Sequence, residues 1–407
     1  MVNCKLSVSF IDYLKRLHTY NRYHDFRVIP QYTSYSFLVL KSRNLFQTQA
    51  SAHIMVSVLS SSIVVASVAG ICFYFGVVAS QRYKRRNYVA SLPPPTDTNL
   101  AELHHFIVQI LTDFPFLYRT ALEFAFFKTY GIPSISKLLV ATGEITNACP
   151  RRIADTDLLI REFCEHPLDN ERSILAMRRM NHFHSKYHIS NGDYLYVLCV
   201  FIIEPIRWIN QFGFRKLTTN EIEALCIHWR CVGIYMGITD IPGSYPEVVA
   251  YIEEYEKANF CYTDQNRQVA NATIEVFLAP FPKCMHSFGH KAAHALCPPN
   301  LCEAMGFEKS SKLLKSTLEG ALSLMGLVTR LFCFPRSQPK HRTGEFPNPN
   351  GSYCPRFAMY DKQLYKEGYF IGKLGPQKFE NDGMLGELHT PKSNSVKCPE
   401  LKKPKPI

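Results

Sequence analysis

The hydrophobic pattern divides the chain into one long apolar run and a larger region with helical periodicity. Residues 54–79 contain no charged side chain. A helix that rises about 1.5 Å per residue over this run crosses the roughly 30 Å hydrocarbon core of a bilayer. A cleaved signal peptide is the alternative, but the run is long for one and no basic residues directly precede it. We therefore predict a single transmembrane helix at residues 54–79.

The region after the apolar run has the spacing of amphipathic helices. Residues 80–99 form a basic, proline-rich linker, and from residue 100 to about 335 apolar side chains recur every three or four positions. Strand signals are few, and prolines punctuate the region at intervals that suit helix ends. The pattern predicts one all-α domain at residues 100–335. Residues 1–53 have no clear period and form an extension of uncertain structure, and the Pro- and Lys-rich residues 336–407 are predicted to be a flexible basic tail.

The formal charge of +12 suits either nucleic acid or an anionic membrane surface. A basic cluster directly follows the apolar run, at Arg82, Lys84, Arg85 and Arg86. By the positive-inside rule it places the later residues in the cytosol. The 14 cysteines form no CxxC pair, which is typical of reduced thiols. Together, the apolar run and the basic cluster that follows it predict that the partner is the lipid bilayer and not nucleic acid.

Familiar catalytic motifs are absent from the sequence. It contains no Walker loop, no GxSxG elbow, no HExxH and no dinucleotide fingerprint after a strand. This weakens the interpretations of the chain as a hydrolase, a kinase or a Rossmann enzyme.

One polar stretch in the apolar region contains His182 and His184. On a helix these residues lie about 200° apart, so only one can face the core as a metal ligand and the other is expected at the surface. The spacing does not say which. The alternative is a buried histidine that only hydrogen-bonds a neighbouring helix.

Arg152 and Thr156 share a helix face at a four-residue spacing. The arginine can pair with a carboxylate of a cofactor or substrate, and the threonine can hydrogen-bond a bound oxygen species. The alternative is a helix-capping threonine beside a solvated arginine. His286, His290 and His294 also recur every four residues, but one straight helix spreads them too far for a single ion, so they predict a polar helix face.

Several segments resemble a known family in order and spacing. Residues 125–136, 152–163, 179–187 and 193–215 are similar to the fungal ER-bound oxygenases of the MpaB type, which belong with the rubber oxygenases. The resemblance implies a globin-related, multi-helix haem b domain behind the membrane helix. It also implies an endoplasmic reticulum location with the catalytic domain in the cytosol, and oxidative cleavage of a prenyl chain in secondary metabolism.

The resemblance also implies roles for individual residues. His184 corresponds to the single proximal histidine that binds the haem iron, whereas His182 has no counterpart. Arg152 and Thr156 match an Arg-x-x-x-Thr pattern near the haem, and Asp155 stands where rubber oxygenases have a distal lysine. We therefore expect a haem-dependent oxygenase that uses O2 on a hydrophobic, prenyl- or terpenoid-like small molecule. The alternative is a membrane-tethered lipid or terpenoid carrier without redox activity.

Overall fold

The computed structural model of the chain describes residues 32–356, 361, 363–383 and 385–389. The chain forms two compact units, residues 1–73 and residues 74–407. Within the described residues there are fourteen α-helices and no β-strand, which confirms the all-α prediction. The helices are α1 (Tyr32–Ser91), α2 (Leu100–Asp113), α3 (Pro115–Lys128), α4 (Pro133–Ala141), α5 (Glu144–Asn147), α6 (Cys149–Glu165), α7 (Glu171–His184), α8 (Asn191–Phe212), α9 (Thr219–Tyr235), α10 (Tyr245–Asn259), α11 (Asp264–Leu278), α12 (His286–Leu296), α13 (Pro299–Met305) and α14 (Lys312–Phe332).

The predicted membrane helix is part of the longer helix α1. Its segment Met55–Ser91 has a mean hydropathy of 2.2 in its most apolar window, and only 6% of that window is buried. The helix continues into the predicted linker and ends at Ser91, because no proline occurs within it before Pro93. Of the extension predicted at residues 1–53, the first 31 residues lie outside the described residues, and residues 32–53 belong to α1.

Helix α8 lies at the centre of the second unit. It packs against α3, α9, α10 and α14. This helix is also long and apolar enough to cross a membrane, but 78% of its apolar window is buried. Its apolar surface is therefore covered by other helices, and α8 is the core helix of the fold.

A buried charge cluster joins three of these helices. Lys128 at the end of α3 is 1% exposed, and its Nζ lies 3.0 Å from Glu204 Oε1 of α8 and 2.6 Å from Glu256 Oε1 of α10. Glu204 also pairs with Arg207, as its spacing suggests, at 3.5 Å. The lysine is the partner that lets both carboxylates remain in the interior.

The C-terminal segment, defined here as the described residues between 335 and 389, packs against the helices. Tyr369, Ile371 and Leu374 belong to the main hydrophobic core, and Glu165 of α6 accepts the backbone N–H of Thr343 at 3.0 Å. The expectation of a flexible tail is therefore wrong for this segment. The sequence suggested a flexible tail for two reasons. Many side chains of the segment are polar, since they pair with buried charges on the helices, and its irregular backbone shows no periodic spacing of apolar residues.

We predict that Lys128→Ala lowers the free energy of unfolding by about 3–5 kcal/mol, because it leaves two carboxylates buried without their cation. Lys315→Ala is the control. Its pair with Glu319 is 3.9 Å long and both side chains are at least one-third exposed, so we expect a loss of no more than ~0.5 kcal/mol. Denaturant unfolding of the detergent-solubilised protein measures both. Similar losses in the two variants would contradict the structural role of the cluster.

Candidate active site

Helices α6 and α7 pack against each other and carry the side chains that the sequence singles out. Helix α7 begins behind Asn170, whose side chain accepts the N–H of Arg172 at 2.9 Å, and it ends at His184. The ring of His184 meets that of Tyr194, near the start of α8, with centroids 5.6 Å apart. The end of one helix and the beginning of the next therefore meet at this histidine.

Arg152 and Thr156 contact each other on α6, as their spacing predicts. Arg152 Nη1 donates a hydrogen bond to Thr156 Oγ1, and Thr156 Oγ1 donates to the Arg152 carbonyl at 3.0 Å. The guanidinium also lies over the ring of Phe126 of α3, 5.7 Å from its centroid. Thr156 is inside α6 and not at its cap, so the helix-capping alternative is wrong.

The structure brings His184 into the electrostatic neighbourhood of Arg152. Burial, and then the positive charge of Arg152, lower the pKa of His184 to about 4. The side chain is partly exposed, yet its Nδ1 is inaccessible to water and has no hydrogen-bond partner among the described residues. A neutral imidazole with an uncommitted nitrogen is the form of histidine that binds a metal.

His182 faces away from this site. Its Nε2 lies 2.8 Å from Asp382 Oδ2 of the C-terminal segment, and the residue is 7% exposed. The expectation that the second histidine lies at the surface is therefore wrong. The reason is that the C-terminal segment covers this face of α7, where Asp382 also pairs with Arg179 at 2.8 Å.

Asp155 belongs to the same covered side. Its carboxylate accepts a hydrogen bond from the hydroxyl of Tyr365 in the C-terminal segment. Burial raises the pKa of Asp155 to about 6, although Tyr365 and Arg151 both favour its charged form. Asp155 thus binds the C-terminal segment, one residue away from a threonine that belongs to the candidate site.

Further polar and aromatic groups lie beside Arg152 that the sequence did not indicate. The charge of Arg152 acts on Tyr130 and Cys149, and Tyr130 accepts a hydrogen bond from Thr273 of α11 at 3.2 Å. Tyr194 completes the aromatic surroundings of His184. In the sequence, the only signal for these groups is the high aromatic content of residues 124–130. Such content is equally typical of an ordinary hydrophobic core.

The triple-histidine pattern forms a polar face of α12. His286 Nδ1 and His290 Nε2 lie 3.3 Å and 2.6 Å from the carboxylate of Glu275 on α11, and the ring of His294 stacks on Phe307. Among the residues that the structure describes, no three histidine, cysteine or acidic side chains are grouped as metal ligands. His184 is one of several described histidines with a buried ring nitrogen that lacks a hydrogen-bond partner.

Comparison with known proteins adds a family. Residues 173–329 match the family model described as ER-bound oxygenase mpaB/B'/Rubber oxygenase, catalytic domain, a range that includes His184 and begins after Arg152 and Thr156. The chain is 26% identical over 387 residues to ER-bound oxygenase mpaB' of Penicillium brevicompactum, covering 79% of this chain and 91% of that protein. It is 30% identical over 233 residues to ER-bound oxygenase mpaB of Penicillium roqueforti (strain FM164), covering 53% of this chain and 78% of that protein.

The lowered pKa of His184 predicts a specific pH dependence of stability. Between its folded value of about 4 and the ordinary 6.5, the unfolded chain binds a proton that the folded chain does not, so stability falls as the pH falls through this window. His184→Gln removes that contribution, and acidification from about pH 7 to about pH 5 should destabilise the variant less than the parent.

The matched control is His188→Gln, because the side chain of His188 is exposed. Thermal unfolding at the two pH values measures the difference. Some loss on acidification should persist in both variants, because burial also lowers the pKa values of His104, His166 and His228. An equal loss in His184→Gln and in the parent would show that His184 is not neutral in the folded protein.

Proposed function

The chain belongs to the family of MpaB-type ER-bound oxygenases and rubber oxygenases, and we propose that it is a haem-dependent member anchored in the membrane by α1. Membrane association and oxygenase activity follow from the family. The cofactor, the substrate class and the topology are the proposal. The observation that carries it is the buried, partnerless Nδ1 of neutral His184 beside Arg152.

The residues present fit a haem b. We propose that His184 would hold its iron, because a neutral imidazole is one of the ligands that hold haem iron. Metal-ligating histidines usually donate their other ring N–H to an acceptor. The Nδ1 atom of His184 has no hydrogen-bond partner among the described residues, so it is available as a ligand. The haem, when bound, would supply the activation of O2.

Arg152 and Thr156 have proposed roles in binding and orientation. A guanidinium forms strong, bidentate bonds with carboxylates, so Arg152 is the proposed partner of a haem propionate. The Thr156 hydroxyl now donates to the Arg152 carbonyl. A rotation about χ1 would aim it elsewhere, and we propose that it then donates a hydrogen bond to the oxygen that reacts.

The proposed substrate is a hydrophobic, prenyl- or terpenoid-like molecule that reacts with O2. The ring of Phe126 lies beside Arg152 and the ring of Tyr194 beside His184, which favours an apolar chain over a charged metabolite. The alternative of a carrier without redox activity loses support, because the chain belongs to an oxygenase family.

The decisive experiment compares the two histidines of α7. His184→Ala should abolish stoichiometric haem binding or shift its spectrum strongly, because it removes the proposed axial ligand. His182→Gln is the control, since glutamine keeps a donor for Asp382 on the other face of the helix. Absorption spectra and iron analysis of the detergent-solubilised protein measure both.

Equal haem content and an unaltered Soret band in His184→Ala would contradict the ligand assignment. Loss of haem in His182→Gln alone would show that the cofactor lies on the face of α7 that carries His182. Arg152→Ala should weaken haem retention without abolishing it. Arg152→Lys should restore only part of it, because an ammonium lacks the planar fork.

The proposed topology, with the catalytic domain in the cytosol, can be tested on a glycosylation sequence already in the chain. Asn350 begins the tripeptide Asn-Gly-Ser and is exposed, so the lumenal enzyme would modify it if this face were lumenal. We expect no glycan on the native chain in microsomes, and a glycan when the sequence is added before residue 54. A glycan that disappears in Asn350→Gln would reverse the orientation.

A further inference from the structure

Helix α14 carries an unusual number of exposed apolar side chains for a helix of a folded domain. Leu324, Leu327 and Val328 are 58%, 48% and 43% exposed, and Leu331 is 38% exposed. These residues occupy positions i, i+3, i+4 and i+7, so they form one stripe along the helix. Leu313, near the start of α14, extends the stripe and is 76% exposed.

The opposite side of α14 is fixed to the protein. Gly326 is the buried residue of this helix, and a Cβ built there would lie 2.3 Å from the backbone oxygen of Phe212. The close approach of the two backbones holds α14 against the end of α8. The exposed stripe is thus not the face with which α14 packs.

The C-terminal end of α14 lies against the part of α1 in which the uncharged run ends. The ring of Phe332 is 5.2 Å from that of Phe75, and the ring of Phe334 is 5.6 Å from that of Tyr74. Tyr74 and Phe75 belong to the last turns of the uncharged run, just before the basic cluster that begins at Arg82. Phe332 and Phe334 must therefore lie at the depth at which α1 leaves its apolar surroundings.

Two carbonyl groups at the C-terminal end of α14 accept hydrogen bonds from a side chain of α1. Arg82 Nη2 donates to the Thr329 carbonyl at 2.8 Å and to the Cys333 carbonyl at 2.6 Å. The last carbonyls of a helix lack intrahelical partners, and leaving them unpaired away from water is unfavourable. With Arg82 as their donor, the end of α14 can lie at a membrane surface.

We propose that α14 lies in the plane of the bilayer interface, with its stripe of Leu324, Leu327, Val328 and Leu331 in contact with lipid. This inference rests on the proposed anchoring by α1. An amphipathic helix with cationic residues near its apolar face binds anionic bilayers in this way. The cations are Lys309, Lys312, Lys315, Arg330 and Arg336. The neighbouring α12 adds Phe288, which is 54% exposed.

A second copy of the chain is the competing occupant of the stripe. The bilayer is favoured because the stripe continues from residues that contact α1 at its exit from the uncharged run. A pairing surface has no need of that position. The lipid contact would also hold the domain against the membrane, where a hydrophobic substrate is concentrated.

The test is a depth measurement on the full chain. Leu327→Trp places a fluorophore in the stripe at an exposed position, while native Trp208 and Trp229 are 8% and 3% exposed and provide the background. The protein is reconstituted in phosphatidylcholine–phosphatidylserine vesicles whose acyl chains carry bromine. We expect the added emission to be largely quenched by the brominated lipid and insensitive to aqueous iodide. Val328→Trp should behave in the same way.

The matched control is Phe346→Trp, which replaces an aromatic residue that is 77% exposed in the C-terminal segment. Its emission should be quenched by iodide and not by the lipid. Quenching of Leu327→Trp by iodide would show that the stripe faces water, and insensitivity to both quenchers would show that protein covers it. Either result overturns the inference, as does equal lipid quenching of the control.

Failure of the anchor itself would be recognised separately. If carbonate washing releases the chain from the vesicles, the proposed membrane anchoring is wrong, and the inference for α14 falls with it. If the chain floats with the vesicles but the stripe is not quenched by lipid, anchoring stands and only the role of α14 is wrong.

Discussion

Helices α6 and α7 bury charged side chains that need partners, and the C-terminal segment supplies them. Glu162 accepts from the Tyr369 hydroxyl at 2.6 Å, and Glu165 accepts from the Thr343 hydroxyl at 2.8 Å. Arg179, with no exposed surface, donates to the carbonyls of Leu374 and Phe379 at 3.0 Å and 2.6 Å. An unpartnered buried charge costs several kcal/mol, so the segment and the two helices depend on each other.

As a result, each of the two helices has one face that contacts the C-terminal segment and another that carries candidate-site residues. Asp155 and His182 bind the C-terminal segment, whereas Thr156 and His184, one and two residues farther along, belong to the candidate site. The angular step of a helix separates them. The other faces carry the hydrogen bond between Arg152 and Thr156 and the ring contact between His184 and Tyr194. Neither contact gives the Nδ1 atom of His184 a hydrogen-bond partner.

The sequence predicted those parts of the structure that depend on local periodicity. The apolar helix follows from a run without charges, and the all-α domain follows from apolar residues at three- and four-residue spacing. The contact between Arg152 and Thr156 follows from their four-residue spacing on one helix. The packed C-terminal segment did not, because its contacts join residues more than 150 positions apart, as with Glu165 and Thr343. Irregular backbone has no repeating pattern to read. The surface position expected for His182 was wrong for the same reason, since Asp382 lies on that segment.

Within the candidate site, the choice between the two histidines also depends on charge. A protonated imidazole has no lone pair for a metal, so a ligand must be neutral at the pH of the cell. His184 meets this condition because burial and the neighbouring Arg152 both disfavour its protonation. His182 Nε2 instead lies 2.8 Å from the carboxylate of Asp382, so that nitrogen already has a protein partner. The arginine proposed to bind an acidic group of the cofactor therefore also keeps the nearby imidazole in its metal-binding form. We propose that this electrostatic coupling joins the two residues in one site although they lie on different helices.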